Sequence, residues 1–126
     1  MTQEDKDLLL KDLCARLPYD VKVNCNDKVY NFAGIQYFNI CILTDDNENN
    51  AFTTAGIKYI KPYLFPMSSM TDEQLPYYIT TLKYSEETRG MVETPNSFDW
   101  LNKNHYDYRG LIPMGLAIDA SGLNIY

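Results

Sequence analysis

VKVNCNDKVYNFAGIQYFNICILT, residues 21–44, decides how this chain is read. Two runs rich in β-branched and aromatic residues flank Asn26 and Asp27. Both of these residue types tolerate positive φ, so the pair predicts a tight hairpin turn between two strands. Gly34 bends or ends the second strand. Residues 39–44, NICILT, form a third strand. There Ile40 and Ile42 alternate with Cys41 and Leu43, which gives two apolar faces and a central position in a sheet.

Downstream, residues 45–56 read as a polar loop, and IKYIKPYLFP, residues 57–66, as a fourth strand. Pro62 cannot donate to a ladder, so the end of that strand is expected at an edge or outside the sheet. Residues 20–65 are therefore expected to hold four short, closely spaced strands, in a small antiparallel meander or open barrel.

Upstream, residues 3–17 read as a helix. Thr2 caps it, and Asp5 stands where a capping-box acid belongs. Leu10, Leu13, Cys14 and Leu17 follow helical spacing, with Leu9 widening the stripe, which places them on the face that covers the sheet and makes Cys14 a small core residue. Pro18 ends the helix. After the sheet, Thr71 is a good N-cap for a helix reaching about Leu82, with Asp72 and Glu73 in its first turn. Pro76 disturbs that helix, which is then short or begins near Leu75. Residues 85–90 read as a loop. Thr94 and Pro95 open a further helix whose Phe98, Leu101 and His105 share a face. A positive imidazole at His105 would be favoured by the helix C-terminus. Gly110, Pro113 and Gly115 forbid another long helix, and residues 116–126 predict a C-terminal hairpin around Ser121 and Gly122.

The fold class expected is α+β: a small antiparallel sheet or open barrel against an N-terminal helix, with one or two further short helices and a C-terminal hairpin. At 126 residues the chain is expected to form a single domain with its own core. It divides into a helix (1–19), a meander or barrel (20–65) and a helical and hairpin extension (66–126).

Two blocks carry a resemblance. FDWLNKNHYDYRGLIPMGLAIDA (98–120) and IKPYLFPMSSMT (60–71) resemble a family of short proteins from gut bacteria, their phages and mobile elements. The resemblance implies an accessory role in such an element and brings no catalytic residue with it. Residues 20–64 also resemble the strand rhythm of SH3-like barrels, though without a Gly-Asp turn.

Composition narrows the function. Seventeen acids face eleven bases, a formal charge of −6. Phosphate backbones and anionic membrane surfaces attract basic proteins, so neither direct nucleic-acid binding nor membrane binding is expected. Cys14, Cys25 and Cys41 are an odd number at long spacings, neither a disulfide framework nor a zinc pattern. With an acidic N-terminus and no long apolar run, this predicts a cytoplasmic protein.

Several constellations invite chemistry. In residues 45–56, Asp45, Asn47 and Asn49 match the first ligand positions of an EF-hand loop. Asn50 replaces its glycine and Gly56 its bidentate glutamate, so a solvated loop is expected. Cys25 or Cys41 with His105 would make a nucleophile and base, but nothing in the sequence joins them. His105 with Asp107 would make a base and its orienter; the alternative is a helix-terminal histidine. Asp107 and Arg109 share a face if extended, and are expected to form an ion pair, or Arg109 to meet a carboxylate elsewhere. The only G-x-x-x-x-G, from Gly110 to Gly115, lacks the Lys-Ser/Thr of a phosphate loop. No catalytic residue, metal ligand or cofactor is expected.

Eleven tyrosines stand out. Tyr77 with Tyr78, and Tyr106 with Tyr108, are pairs in which one ring can enter the core while the other meets solvent. Contact surfaces are enriched in tyrosine, methionine and arginine. Tyr77, Tyr78, Tyr106, Tyr108, Arg109, Met67 and Met70 are therefore the expected partner-binding residues, and the acidic charge would steer them to a basic protein. A homodimer through the same surface is compatible with this. Two rival readings are an acidic mimic of nucleic acid that occupies a DNA- or RNA-binding protein, and a small hydrolase with a Cys/His site.

Overall fold

The structure, a computed structural model, describes residues 1–46 and 51–126. The first helix, α1 (Gln3–Arg16), has the expected capping box: Thr2 Oγ1 accepts from the Asp5 N–H, and Asp5 accepts from the Thr2 N–H. Its buried face is displaced by one residue from the expected one. It carries Leu9, Asp12, Leu13 and Arg16, while Cys14 is exposed and Leu17 is 39% exposed. The spacing is still i, i+3, i+4, i+7, but half of the stripe is an ion pair, which apolar periodicity cannot register.

Strands β1 (Lys22–Cys25) and β2 (Lys28–Gln36) form the expected hairpin. Asn26 and Asp27 both have positive φ, as a two-residue turn of this hand demands. Gly34, with φ of +155°, lies at a register shift between β2 and β3 (Ile40–Thr44), so it bends the strand without ending it. Of the two apolar faces of β3 only one is core: Cys41 and Leu43 are fully buried, Ile40 and Ile42 are not.

The loop expected over residues 45–56 is shorter than that, because β4 (Phe52–Gly56) adds a fifth strand antiparallel to β3. It was hidden because an exposed strand shows no apolar alternation. Ile57–Tyr59 is a 3₁₀ turn, and β5 is Lys61–Pro66. Contrary to the edge position expected from Pro62, β5 is internal. It pairs antiparallel with β1, Val23 opposite Pro62, and its other side is taken by β8 (Tyr106–Asp107) and β9 (Ile118–Asp119), both parallel to it. The strand order is β4-β3-β2-β1-β5-β8, with β9 also on β5. The meander is thus antiparallel as expected, but the sheet as a whole is mixed, and it does not close.

No C-terminal hairpin forms around Ser121 and Gly122. The open edge of β5 captures Ile118 and Asp119 instead, with the Ala120 N–H donating to the Leu64 carbonyl. Between the sheet and these strands lie α2 (Leu75–Thr80), a hairpin of β6 (Lys83–Ser85) and β7 (Gly90–Val92) where a loop was expected, and α3 (Pro95–Lys103). Helix α2 begins at Leu75 with Pro76 in its first turn, where a missing N–H costs nothing. Thr71 caps only the preceding turn, accepting from the Gln74 N–H. Helix α3 opens at Thr94 with a capping box to Ser97.

Two clusters hold the molecule. The larger packs Leu9 and Leu13 of α1 on Val23, Phe32, Cys41, Leu43, Ile60 and Leu64 of the sheet region, closed by Leu111 and Leu116. The smaller is aromatic, built on Tyr78, Leu101 and Tyr106 with Phe65, Trp100 and Tyr108 around it. No helix among the described residues is long and apolar enough to cross a membrane.

Candidate functional site

The expected partner-binding residues divide between core and surface. Tyr78 and Tyr106 are 8% and 3% exposed, so neither can meet a partner. Tyr78 packs against Trp100 with centroids 5.7 Å apart, and Trp100 stacks on Tyr106 at 5.8 Å with planes within 8°. Their hydroxyls are satisfied internally: Tyr78 donates to Glu93 Oε1 at 2.7 Å, and Tyr106 to Gln74 Oε1. Burial and the Glu93 carboxylate push the Tyr78 phenol up to about 12. Met67 and Met70 are half-buried against the same cluster. Met67, Met70, Tyr78 and Tyr106 are thus pieces of a small aromatic core.

Tyr108 and Arg109 serve a polar joint. Asp12 and Arg16, both fully buried, pair through Nε–Oδ2 at 2.8 Å and Nη2–Oδ1 at 3.1 Å. Arg16 Nη2 also donates to the Tyr106 carbonyl at 2.6 Å. Arg109 Nε reaches Asp12 Oδ1 at 3.1 Å, and its Nη2 donates to the Tyr108 hydroxyl, which in turn donates to Asn102 Oδ1 at 2.9 Å. Both guanidinium groups lie over the Tyr108 ring, at 5.3 and 4.9 Å from its centroid. The Asp107–Arg109 pair does not form. Asp107 instead accepts the N–H groups of Leu111 and Ile112, each at 2.9 Å, and so fixes the glycine- and proline-bearing turn that follows. Arg109 takes the other expected course, a carboxylate elsewhere.

His105, just past the end of α3 with φ of +64°, stacks on Tyr126 at 3.6 Å between centroids. Burial and the Arg16 guanidinium hold its imidazole down to about 4, so it is neutral at pH 7, against the cationic histidine expected from the helix dipole. Its Nδ1 has no hydrogen-bond partner among the described residues. Tyr126 accepts from the Lys22 N–H at 3.0 Å and donates to the Tyr63 carbonyl at 2.7 Å, which splices β1 to β5 where their ladder opens.

The remaining chemical candidates are placed apart. Cys41 is fully buried, and its thiol is pushed up to about 11 by burial. Cys25 lines a cleft with Asn26, Thr54, Ala55, Gly56 and Tyr59, whereas His105 lies against Tyr126. Of the EF-hand-like positions, Asn47, Asn49 and Asn50 lie outside the described residues, and Asp45 is buried in an ion pair with Lys28. The acids do not all present a free face: Asp12, Asp45 and Asp107 are buried and engaged internally, and the exposed Glu93 accepts from the Tyr78 hydroxyl.

The surface aromatic residues fall mainly elsewhere. Tyr77 is 68% exposed on α2, flanked by the exposed Leu75 and Ile79. Next along the chain, Tyr84 and Met91 sit opposite each other across the β6–β7 hairpin, 58% and 53% exposed. Asp72, Glu73, Glu86 and Glu87 are exposed acids at the ends of these elements. Tyr77 was legible as a member of a pair of which one ring could meet solvent, but not as the exposed one. Tyr84 and Met91 were missed because residues 85–90 hid a hairpin, and no apolar periodicity survives in strands of three residues. Comparison with family models, curated proteins and solved structures finds no match.

Proposed function

We propose that this is a non-enzymatic protein-binding module of the cytoplasm, an accessory factor of a mobile element or phage, that engages a basic protein through α2 and the β6–β7 hairpin. The observation that carries this reading is the cross-strand pair of Tyr84 and Met91, exposed a few residues along the chain from Tyr77, whose neighbour Tyr78 is spent on the core. Large apolar side chains left in water by such small elements are suited to a contact surface, and the acids at their ends would steer a cationic partner to it. Tyrosine brings contact area at low entropic cost.

The test is affinity capture from the organism that encodes the protein, with wild type and a Tyr77→Ser/Tyr84→Ser variant as baits. Both positions are exposed, so the variant is expected to keep its fold by circular dichroism. A basic protein retained at least about tenfold more by wild type, and released as salt rises, is the expected result. Equal retention by both baits would overturn the reading.

A further inference from the structure

The two edges of the sheet are treated differently. The β5 side is covered by β8 and β9, while β4 has no second strand partner among the described residues. Natural edges are guarded by charge, proline or a bulge. FTTAG, residues 52–56, contains no charged residue and no proline, and its ladder to β3 runs without a register shift.

The register shows which main-chain groups are open. The two-residue turn makes Cys25 and Lys28 a hydrogen-bonded pair, and the Phe32 N–H bonds the Val21 carbonyl at 3.0 Å. Alternation along β2 and β3 then turns the groups of Leu43 and Cys41 toward β4. The Asp45 N–H donating to the Ala51 carbonyl fits the same phase. Thr53 and Ala55, opposite Leu43 and Cys41, are therefore satisfied by β3, and Phe52, Thr54 and Gly56 direct their N–H and C=O groups outward.

That set is symmetric about Thr54. We infer that β4 is a self-association edge, on which a second copy of this chain pairs antiparallel through its own β4 about a twofold axis at Thr54. Thr54 then meets Thr54 of the other copy, and Phe52 meets Gly56, each with its open groups in phase. This yields about four new main-chain hydrogen bonds without using the Gly56 carbonyl, which faces the following 3₁₀ turn. The side chains match as well. Phe52, 69% exposed, meets the opposite Gly56 beside the Tyr59 ring, which lies 3.7 Å from where a Cβ on Gly56 would stand, so two aromatic rings come together across the pair. On the other face the incoming strand presents only Thr53 and Ala55. Beside the edge lies a cleft of about 330 Å³ bounded by Cys25, Asn26 and Tyr59, which leaves room for small side chains. Any strand can meet the main-chain groups, but a second copy also brings a partner of equal length without charge or proline, related to the first by a twofold axis. Each copy carries −6, so association strengthens as salt screens the repulsion.

Sedimentation equilibrium over a concentration series tests this on the full chain. The wild-type mass is expected to rise from 14.6 kDa toward twice that value, more steeply in high salt. Thr54→Lys sets two ammonium groups opposite each other at an exposed position and is expected to remain at 14.6 kDa with an unchanged circular dichroism spectrum. A short bismaleimide, applied in a Cys14→Ser background, reads the register. Thr54→Cys is expected to crosslink about tenfold faster than Phe52→Cys, whose copies would lie about 13 Å apart along the strands. A wild type that stays monomeric at millimolar concentration, a Thr54→Lys variant that still dimerises, or equal crosslinking at the two positions would overturn the inference; monomeric wild type with a captured foreign strand on β4 would do so in favour of that strand.

Discussion

The meander and the half of the chain beyond Pro66 hold together by different physics. The meander buries aliphatic side chains supplied by strands that neighbour one another in sequence, and α1 lies on it through Leu9 and Leu13. Such a core tolerates detail, because burial is non-directional. The later half buries rings, and each tyrosine among them must place a hydroxyl: Tyr78 on Glu93, Tyr106 on Gln74, Tyr108 on Asn102. It is docked to α1 by a buried carboxylate shared between two arginines, one of them 97 positions away in the chain. Partners of that kind are directional, so the second half depends on particular side chains where the first depends on sufficient apolar area.

Removing the carboxylate is the harshest way to break this contrast. Asp12→Asn leaves Arg16 and Arg109 without their buried counter-charge and is expected to cost about 3–5 kcal/mol. Trp100, the only tryptophan, sits in the aromatic cluster and reports on that half by fluorescence in a urea titration. Its transition is expected to move to lower urea ahead of the far-ultraviolet dichroism of the sheet; coincident, unshifted transitions would abolish the distinction. Truncation in each core sharpens it. Leu43→Ala and Leu101→Ala, both at fully buried sites, are each expected to cost about 2–5 kcal/mol. Leu43→Ala should shift both signals, and Leu101→Ala chiefly that of Trp100.

The smallest effect lies in pH. The His105 imidazole is held near 4 in the folded protein, below its ordinary 6.5, so the unfolded chain takes up the proton first as the medium is acidified. Stability from this group is complete above about pH 6.5 and is lost as pH falls toward about 4. His105→Asn suits the positive φ and removes the titration. The difference between the two proteins, which cancels the carboxylates titrating in the same window, is expected to change between those limits, the wild type losing stability relative to the variant as pH falls, and to be constant outside them. A wild-type curve parallel to the variant's would show that the ring is solvated.

What could be read before folding follows from how local each cause is. Asn26 and Asp27 announce their hairpin, Thr94 and Pro95 their helix, and Thr2 with Asp5 their cap, since each acts within a few residues. The face of α1 was misplaced by one residue because Asp12 and Arg16 occupy half of it, and a charged pair becomes a core element only when a distant Arg109 and Tyr106 carbonyl complete it. Strand β4 and the β6–β7 hairpin escaped because exposed or three-residue strands carry no periodic signal.

The surface residues divide on the same ground. Composition alone raised tyrosine as the material of a contact surface, but which ring of each pair faces water was decided by packing: Tyr78 is inside and Tyr77 outside, Tyr106 inside and Tyr108 half-buried. Sequence by itself determined the α+β class, the first hairpin with its turn and the third strand, because backbone preference and alternation are properties of neighbours. Tertiary structure alone decided that Pro62 lies inside a sheet, that Arg109 meets Asp12, and that β4 ends the strand order of the described residues. Each of those depends on what another part of the chain brings to the spot, and no local preference encodes it.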